Sequence, residues 1–226
     1  MIRVEREGPV FVLHMEQGEN RFHPDFVAAW DQALDEVEAA EGPKALVTTG
    51  SGKFYSNGLD VEWMRSEGQG KVAPYLRDVL RILGRVLTFP AATVCAAGGH
   101  AFGAGAQLLV AHDLRLMRAD RGYFCMPEID MRAPLHPGMT ALLKARLPAQ
   151  TLHEVLTSGR RYGGLEAHAA GIVEEALPEA ELLSRAIALA EPLAPKAHPV
   201  MSRLKADLYP QVLAALEAQL EDLPHG

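Results

Sequence analysis

The chain has 226 residues, of which 48% are hydrophobic, 23% charged and 6% aromatic, the make-up of an ordinary soluble globular protein with one large domain, alone or with a small appendage. Its 22 Lys and Arg against 29 Asp and Glu give a net charge of -7, a poor footprint for gripping a nucleic-acid backbone or an anionic membrane. No stretch approaches the ~20 apolar residues of a membrane span, and the opening MIRVEREGPV carries acids among its bases, unlike a secretory signal. The last three residues, Pro224, His225 and Gly226, are no peroxisomal address, so the expected compartment is the cytoplasm. Cys95 and Cys125 lie far apart without metal-ribbon or disulfide spacing and read as buried thiols.

In chain order, Ile2 and Val4, then Val10, Val12 and His14, alternate on either side of Glu7-Gly8-Pro9 and predict an opening β-hairpin. From Pro24, the spacing of Phe26, Trp30, Leu34 and Val37 predicts one face of a helix closed by Gly42-Pro43. Residues 45–49 read as a buried strand feeding a Gly/Ser/Lys-rich loop, 50–58, of the kind that sits near chemistry. A second amphipathic helix runs from Tyr75 to Leu87, before Pro90. A strand at 92–97 enters a Gly-rich turn, 98–105, then a short helix ending near His112 and a strand at 114–117. Strand, glycine turn, helix and strand in succession argue for an α/β core of stacked strand-turn-helix units.

Past Pro137 helices dominate, at 137–147, 149–157, 179–193 and from Pro199 onward, with one strand at 172–176. The Pro-rich joint 192–199 marks the best boundary, dividing a core at 1–192 from a C-terminal helical segment at 193–226. No repeat or low-complexity tract is visible.

The glycine turn lacks the G-x-G-x-x-G spacing, and no Walker lysine follows it. It does run a strand into a helix whose first amides, around Ala104 and Gly105, lack intrahelical partners and favour negative charge. Taken alone, the same glycines are equally explained by tight helix-strand packing. Glu128 lies among Cys125, Met126, Pro127 and Ile129, an apolar setting that raises a carboxyl pKa toward a useful range, or else it is a solvated loop acid.

Four segments occur together and in order: Lys53-Phe54-Tyr55-Ser56-Asn57-Gly58-Leu59-Asp60, Gly99-His100-Ala101-Phe102-Gly103-Ala104-Gly105-Ala106-Gln107-Leu108, His112-Asp113-Leu114-Arg115 and Met126-Pro127-Glu128. In order and spacing they resemble the crotonase (enoyl-CoA hydratase/isomerase) superfamily. The likeness continues through Thr157-Ser158-Gly159-Arg160-Arg161, Glu166-Ala167 and Gly171-Ile172-Val173. Ser56-Asn57-Gly58 and Met126-Pro127-Glu128-Ile129-Asp130 look most like the plant peroxisomal-type Δ3,Δ2-enoyl-CoA isomerases.

The resemblance implies an α/β fold with a crotonase-like ββα spiral core and a helical C-terminal region. It implies an acyl-CoA thioester substrate, an oxyanion hole from the backbone amides of Asn57 and Ala104, and Glu128 as catalytic base. Each such donor is worth several kcal/mol, roughly 3, to a developing enolate. Ser56, Gly58, Gly105 and Gln107 are the implied substrate-binding neighbours. Coenzyme A enters only as part of the substrate, with no separate cofactor, and the family's usual assembly is a trimer or dimer of trimers.

Gln107 stands where hydratases of the family carry a second glutamate that helps activate water. An amide cannot exchange that proton, whereas shifting a double bond needs only one base to lift a proton from C2 and return it at C4. The expected activity is therefore Δ3,Δ2-enoyl-CoA isomerisation. The alternatives are a hydratase or another acyl-CoA enolate enzyme, such as a dehalogenase or thioesterase, or a catalytically idle acyl-CoA-binding protein. Gln107 is otherwise a packed helix residue, and Asn57 otherwise a turn residue bonding its own backbone.

Asp60 reads as a cap and Asp113 as structural, while Asp130 is a second acid only if the chain around Glu128 is extended. His100 reads as packed or hydrogen-bonded. No His-Glu-x-x-His pair suggests a metal, and Ser56 with His100 lacks the G-x-S-x-G elbow of a serine hydrolase.

Overall fold

A computed structural model describes residues 1–66 and 69–218. The opening hairpin forms as expected: β1 (Ile2–Glu7) pairs antiparallel with β2 (Val10–Met15), Ile2 opposite Met15. Next comes α1 (Pro24–Ala39), which starts on Pro24 with His23 Nδ1 accepting the Asp25 amide and buries Phe26, Trp30, Leu34 and Val37, the face predicted from spacing.

The chain then repeats one move three times: a strand in a large sheet, a short strand in a small sheet, then helix. The first turn is β3 (Ala45–Gly50), β4 (Phe54–Ser56), α2 (Val61–Ser66) and α3 (Gln69–Leu87). The second is β5 (Ala92–Ala97), β6 (His100–Phe102) and α4 (Ala104–Ala111). The third is β7 (Leu114–Arg118), β8 (Phe124–Cys125) and α5 (Glu128–Met131), followed by α6 (Pro137–Arg146), α7 (Ala149–Ser158) and α8 (Gly164–Ala169). The sixth large-sheet strand, β9 (Glu175–Leu177), leads into α9 (Glu179–Ala190), a 3-10 helix (Glu191–Lys196), α10 (Pro199–Leu208) and α11 (Pro210–Glu217). The expected ββα spiral is what the chain forms.

The large sheet has the order β1-β2-β3-β5-β7-β9 and is parallel from β2 onward; the small sheet, β4-β6-β8, is parallel throughout. Both faces of the large sheet are covered. On β2, Val10 and Val12 pack with Leu182, Ala186 and Ala190 of α9, while Phe11, Leu13 and Met15 join the main core with Trp30, Leu83 and Leu108. This two-sided burial explains why β2, β3 and β5 read as nearly continuous apolar runs.

Several boundaries differ from expectation. The 98–105 turn contains the three-residue β6, and β4 and β8 have three and two residues, too brief for a period of two to show. The strand expected at 172–176 lies at Glu175–Leu177, because Ile172 donates its amide to Ala167 O and closes the end of α8 instead. The helix expected to reach 193 stops at Ala190, where Pro192 and Pro195 tighten the chain into the 3-10 helix. The stretch from Pro199 is two helices, broken before Pro210, whose ring and missing N–H end α10.

Beyond residue 193 the chain packs back onto the core. Val212 and Leu216 are buried in it, and Lys205 Nζ donates to Asp113 Oδ2 at 2.7 Å and to Ala91 O at 3.0 Å. Residues 219–226 of the expected C-terminal segment, with Pro224-His225-Gly226, lie outside the described residues. Among the described residues no helix is long and apolar enough to cross a membrane.

Candidate active site

The carboxyl ends of the three small-sheet strands converge, and within three residues of each end stands one group able to act on a ligand. Leu59 follows β4, Ala104 follows β6 and Glu128 follows β8. Close backbone approach brings the first two together. A β-carbon on Gly105 would fall inside the van der Waals shell of the Ser56 carbonyl, so only glycine lets α4 start there. Gly58, at φ +82°, is held equally tightly: a β-carbon would lie 2.7 Å from Phe102 O and 3.2 Å from the Ala104 nitrogen.

Two assignments from sequence change here. The Asn57 amide donates to Glu19 O at 2.9 Å, and its side-chain Nδ2 to Glu19 Oε2 at 2.9 Å, so the amide is already engaged and offers nothing to a ligand. Ser56 is fully buried; its hydroxyl donates to Asn20 O at 2.7 Å and accepts the Gly58 amide at 3.3 Å, which makes it a brace for the turn rather than a ligand contact. Gly58 and Gly105 shape the site by what they lack.

The amide left without a partner next to Gly58 belongs to Leu59. Phe22 and Leu59 form a parallel bridge in which Phe22 N donates to Gly58 O at 2.9 Å, a pattern that turns the Leu59 amide away from Phe22. Among the described residues neither the Leu59 amide nor that of Ala104, the first residue of α4, has a hydrogen-bond partner. Two free donors thus border Gly58, one backed by the positive end of a helix. Sequence reasoning missed Leu59, Glu19 and Asn20. Asn20 Nδ2 donates to the carbonyls of Met15, Phe54 and Tyr55 at 3.1–3.2 Å, yet nothing in its neighbourhood marks it as a clamp.

Glu128 opens the four-residue α5, and a β-carbon on Gly103 would lie 3.5 Å from its Oε1. Its Oε2 is buried without a partner, and burial pushes the carboxyl above the usual carboxylate range against a smaller pull from its own amide. Asp130 is no second acid: the segment is helical, so residues two apart point to different sides, and Asp130 is exposed and turned toward Gly159.

Gln107 is fully buried, with Oε1 and Nε2 both unpartnered. Its backbone N–H donates to Gly103 O one turn back, and helical side chains lean toward the N-terminus, so Gln107 is inclined to the Gly103 side of α4, where Glu128 stands.

The remaining candidates are structural. His100 Nδ1 accepts the Tyr123 amide at 3.2 Å and the ring packs among Phe54, Phe102 and Tyr123. Asp60 caps α2 by accepting the Trp63 amide at 3.0 Å, and Asp113 accepts the Thr93 amide at 2.9 Å. Cys95 and Cys125 are free and buried. Among the described residues no group of three or more His, Cys, Asp or Glu is disposed to hold a metal ion.

A cavity of about 410 Å³ is lined by Glu128, the apolar Ile129, Ala133, Pro134, Leu135 and Leu156, and the polar Arg132 and Thr140. One carboxylate of raised proton affinity beside a largely apolar cavity, and two free amides bordering Gly58, suit removal of a proton next to a carbonyl whose oxygen rests on the amides.

A sequence profile described as enoyl-CoA hydratase/isomerase matches residues 5–222. The chain is 31% identical over 233 residues to enoyl-CoA delta isomerase 3 of Arabidopsis thaliana, covering 99% of this chain and 98% of that one. It is 31% identical over 228 residues to the peroxisomal enoyl-CoA delta isomerase 2 of the same plant, covering 96% and 95%. A putative enoyl-CoA hydratase of Thermus thermophilus is 34% identical over 229 residues, covering 98% and 87%. Among solved structures, a probable enoyl-CoA hydratase from Mycobacterium tuberculosis superposes with a TM-score of 0.90 at 24% identity, covering 97% of this chain and 93% of that one, a likeness of fold.

Proposed function

Because the chain belongs to the enoyl-CoA hydratase/isomerase family, we propose that it is a Δ3,Δ2-enoyl-CoA isomerase of fatty-acid metabolism. In this reading the Leu59 and Ala104 amides hold the thioester oxygen of a 3-enoyl-CoA. Glu128 takes a proton from C2, the electrons delocalise toward the oxygen, and the same carboxylate returns the proton at C4 to give the conjugated 2-enoyl-CoA. The observation that carries it is that, among the described residues, Glu128 has no second acid beside it: Gln107 is an amide and Asp130 is exposed and turned toward Gly159. Such a transfer needs no resident cofactor, coenzyme A being part of the substrate.

The test is to incubate the protein with a 3-enoyl-CoA and, separately, a 2-enoyl-CoA. Conjugation of the first without hydration of the second supports the proposal; efficient hydration of the second overturns it.

A second reading, enoyl-CoA hydration, draws on the unpartnered atoms of Gln107 and Glu128, which suit a water bridging them. It is less favoured because only one of the two groups can exchange a proton. We also propose a homotrimer or dimer of trimers and a cytoplasmic location, to be tested by sedimentation and by cell fractionation.

A further inference from the structure

Behind the two free amides runs a buried polar chain that the proposed reaction does not use. Tyr55 OH lies 2.8 Å from Thr48 Oγ1, Thr48 Oγ1 lies 2.9 Å from His112 Nε2, and His112 Nδ1 lies 2.7 Å from Leu108 O. Tyr55, Thr48, His112 and Leu108 are all fully buried. Burial lowers the His112 pKa to about 4, so the ring is neutral and carries one proton. A carbonyl only accepts, which puts that proton on Nδ1. Nε2 must then accept from Thr48, and Thr48 from Tyr55. The cluster has one consistent proton arrangement, with the Cys95 thiol beside Tyr55 and Thr48 kept protonated by burial.

The chain joins the two elements that carry the amides. Tyr55 is on β4, which leads into the Gly58-Leu59 turn, and His112 caps the C-terminus of α4, whose first residue is Ala104. Between them Thr48 is on β3, in the interior of the large sheet. A helix of eight residues is a rod of about 12 Å. Its near end is fixed against Ser56 by the close approach of Gly105, a contact that sets a distance but still permits tilt. Directional bonds at the far end remove that freedom, and a buried polar cluster with every member paired is rigid.

We infer that Tyr55, Thr48 and His112 are positioning residues that fix the separation and aim of the Leu59 and Ala104 amides, and so set how strongly the site polarises a thioester carbonyl. This rests on the proposed role of those amides. Donors of this kind act within a few tenths of an ångström, and a misplacement of about 1 Å can cost on the order of 100-fold in rate.

The test uses Tyr55→Phe, Thr48→Val and Thr48→Ser. Each is scored by the carbonyl stretching frequency of bound cinnamoyl-CoA, an unreactive conjugated thioester, and by kcat and KM for a 3-enoyl-CoA. Tyr55→Phe and Thr48→Val are expected to lose part of the carbonyl downshift seen with the parent and to lower kcat roughly 10-fold, with KM within about twofold. Thr48→Ser, which restores the hydroxyl, recovers the greater part of both. Should Thr48→Val fail to fold, Tyr55→Phe, which removes one oxygen and keeps the ring, decides the matter. Folded variants with the parent's carbonyl frequency and kcat overturn the inference alone. A parent that neither isomerises nor shifts the carbonyl overturns the proposed function and this inference with it.

Discussion

Asn57 is tied to Glu19 twice, backbone amide to carbonyl and side-chain amide to carboxylate, both at 2.9 Å. The pair straps the loop before α1 onto the turn that presents Leu59. Hydrogen bonding from Asn57, and then from Arg21, holds the Glu19 carboxyl below its ordinary pKa. A depressed folded-state pKa stabilises above the ordinary glutamate range, and that contribution fades as pH falls through the folded value. Asn57→Ala should fold, lose at most about 1 kcal/mol in urea denaturation and lower isomerase kcat only a few-fold, since the amide at 57 stays bonded to Glu19. A folded variant that has lost on the order of 100-fold would instead place the Asn57 side chain in the reaction.

Glu128→Gln should lower isomerase turnover by at least ~100-fold and leave acyl-CoA binding nearly intact, because it removes proton transfer and keeps both amides. Burial raises the Glu128 pKa, so in the parent kcat/KM should fall as pH drops through a value above that of an ordinary glutamate. The stability sign is opposite to that of Glu19. A carboxyl whose folded pKa is raised stabilises only below its unfolded value, and that stability is lost as pH rises through the folded one. Glu128→Gln should therefore melt higher than the parent at neutral pH. Equal turnover in the two proteins would exclude Glu128 as the base.

Proline at 104 deletes one donor while keeping a helix-compatible first residue. Ala104→Pro is expected to retain the far-ultraviolet circular dichroism of the parent and to lose isomerase activity by about 100-fold to 1,000-fold. Undiminished activity in the folded variant would remove the Ala104 amide from the mechanism.

Gln107 separates two activities and also tests a cost. Gln107→Leu removes two buried unpartnered atoms and is expected to raise stability by about 1 kcal/mol. Gln107→Glu puts a second acid on the Gly103 side of α4 and should introduce weak hydration of 2-enoyl-CoA, with some loss of isomerisation as the two carboxyls raise each other's pKa. Equal hydration by parent and Gln107→Glu, measured at 2-enoyl-CoA saturation, would refute the selection argued from this position.

The large elements were legible because they are long enough to register: Phe26, Trp30, Leu34 and Val37 announce α1, and the apolar runs at 45–49 and 92–97 announce strands. The small sheet was not, since strands of two or three residues carry no period. The buried setting of Glu128 was legible from its apolar neighbours. That the free amide is Leu59's and not Asn57's was hidden, because it depends on a long-range bond, Asn57 to Glu19, which leaves no local mark. Asn20 and the Tyr55-Thr48-His112 chain were invisible for the same reason: their partners are distant in sequence and adjacent only once folded.

The small sheet is a division of labour. In the proposed reaction its first two strands deliver the groups that grip a carbonyl oxygen, and its third delivers the group that handles protons, each from its own circuit of the spiral. The third strand meets the second through only two residue pairs, Ala101 with Phe124 and Phe102 with Cys125. The close approaches that set the Leu59 and Ala104 amides, Gly58 against Phe102 O and Gly105 against Ser56 O, involve no side chain past Cys125. A scaffold wired this way lends itself to acquiring new reactions on the same thioester handle by alterations confined to one short loop.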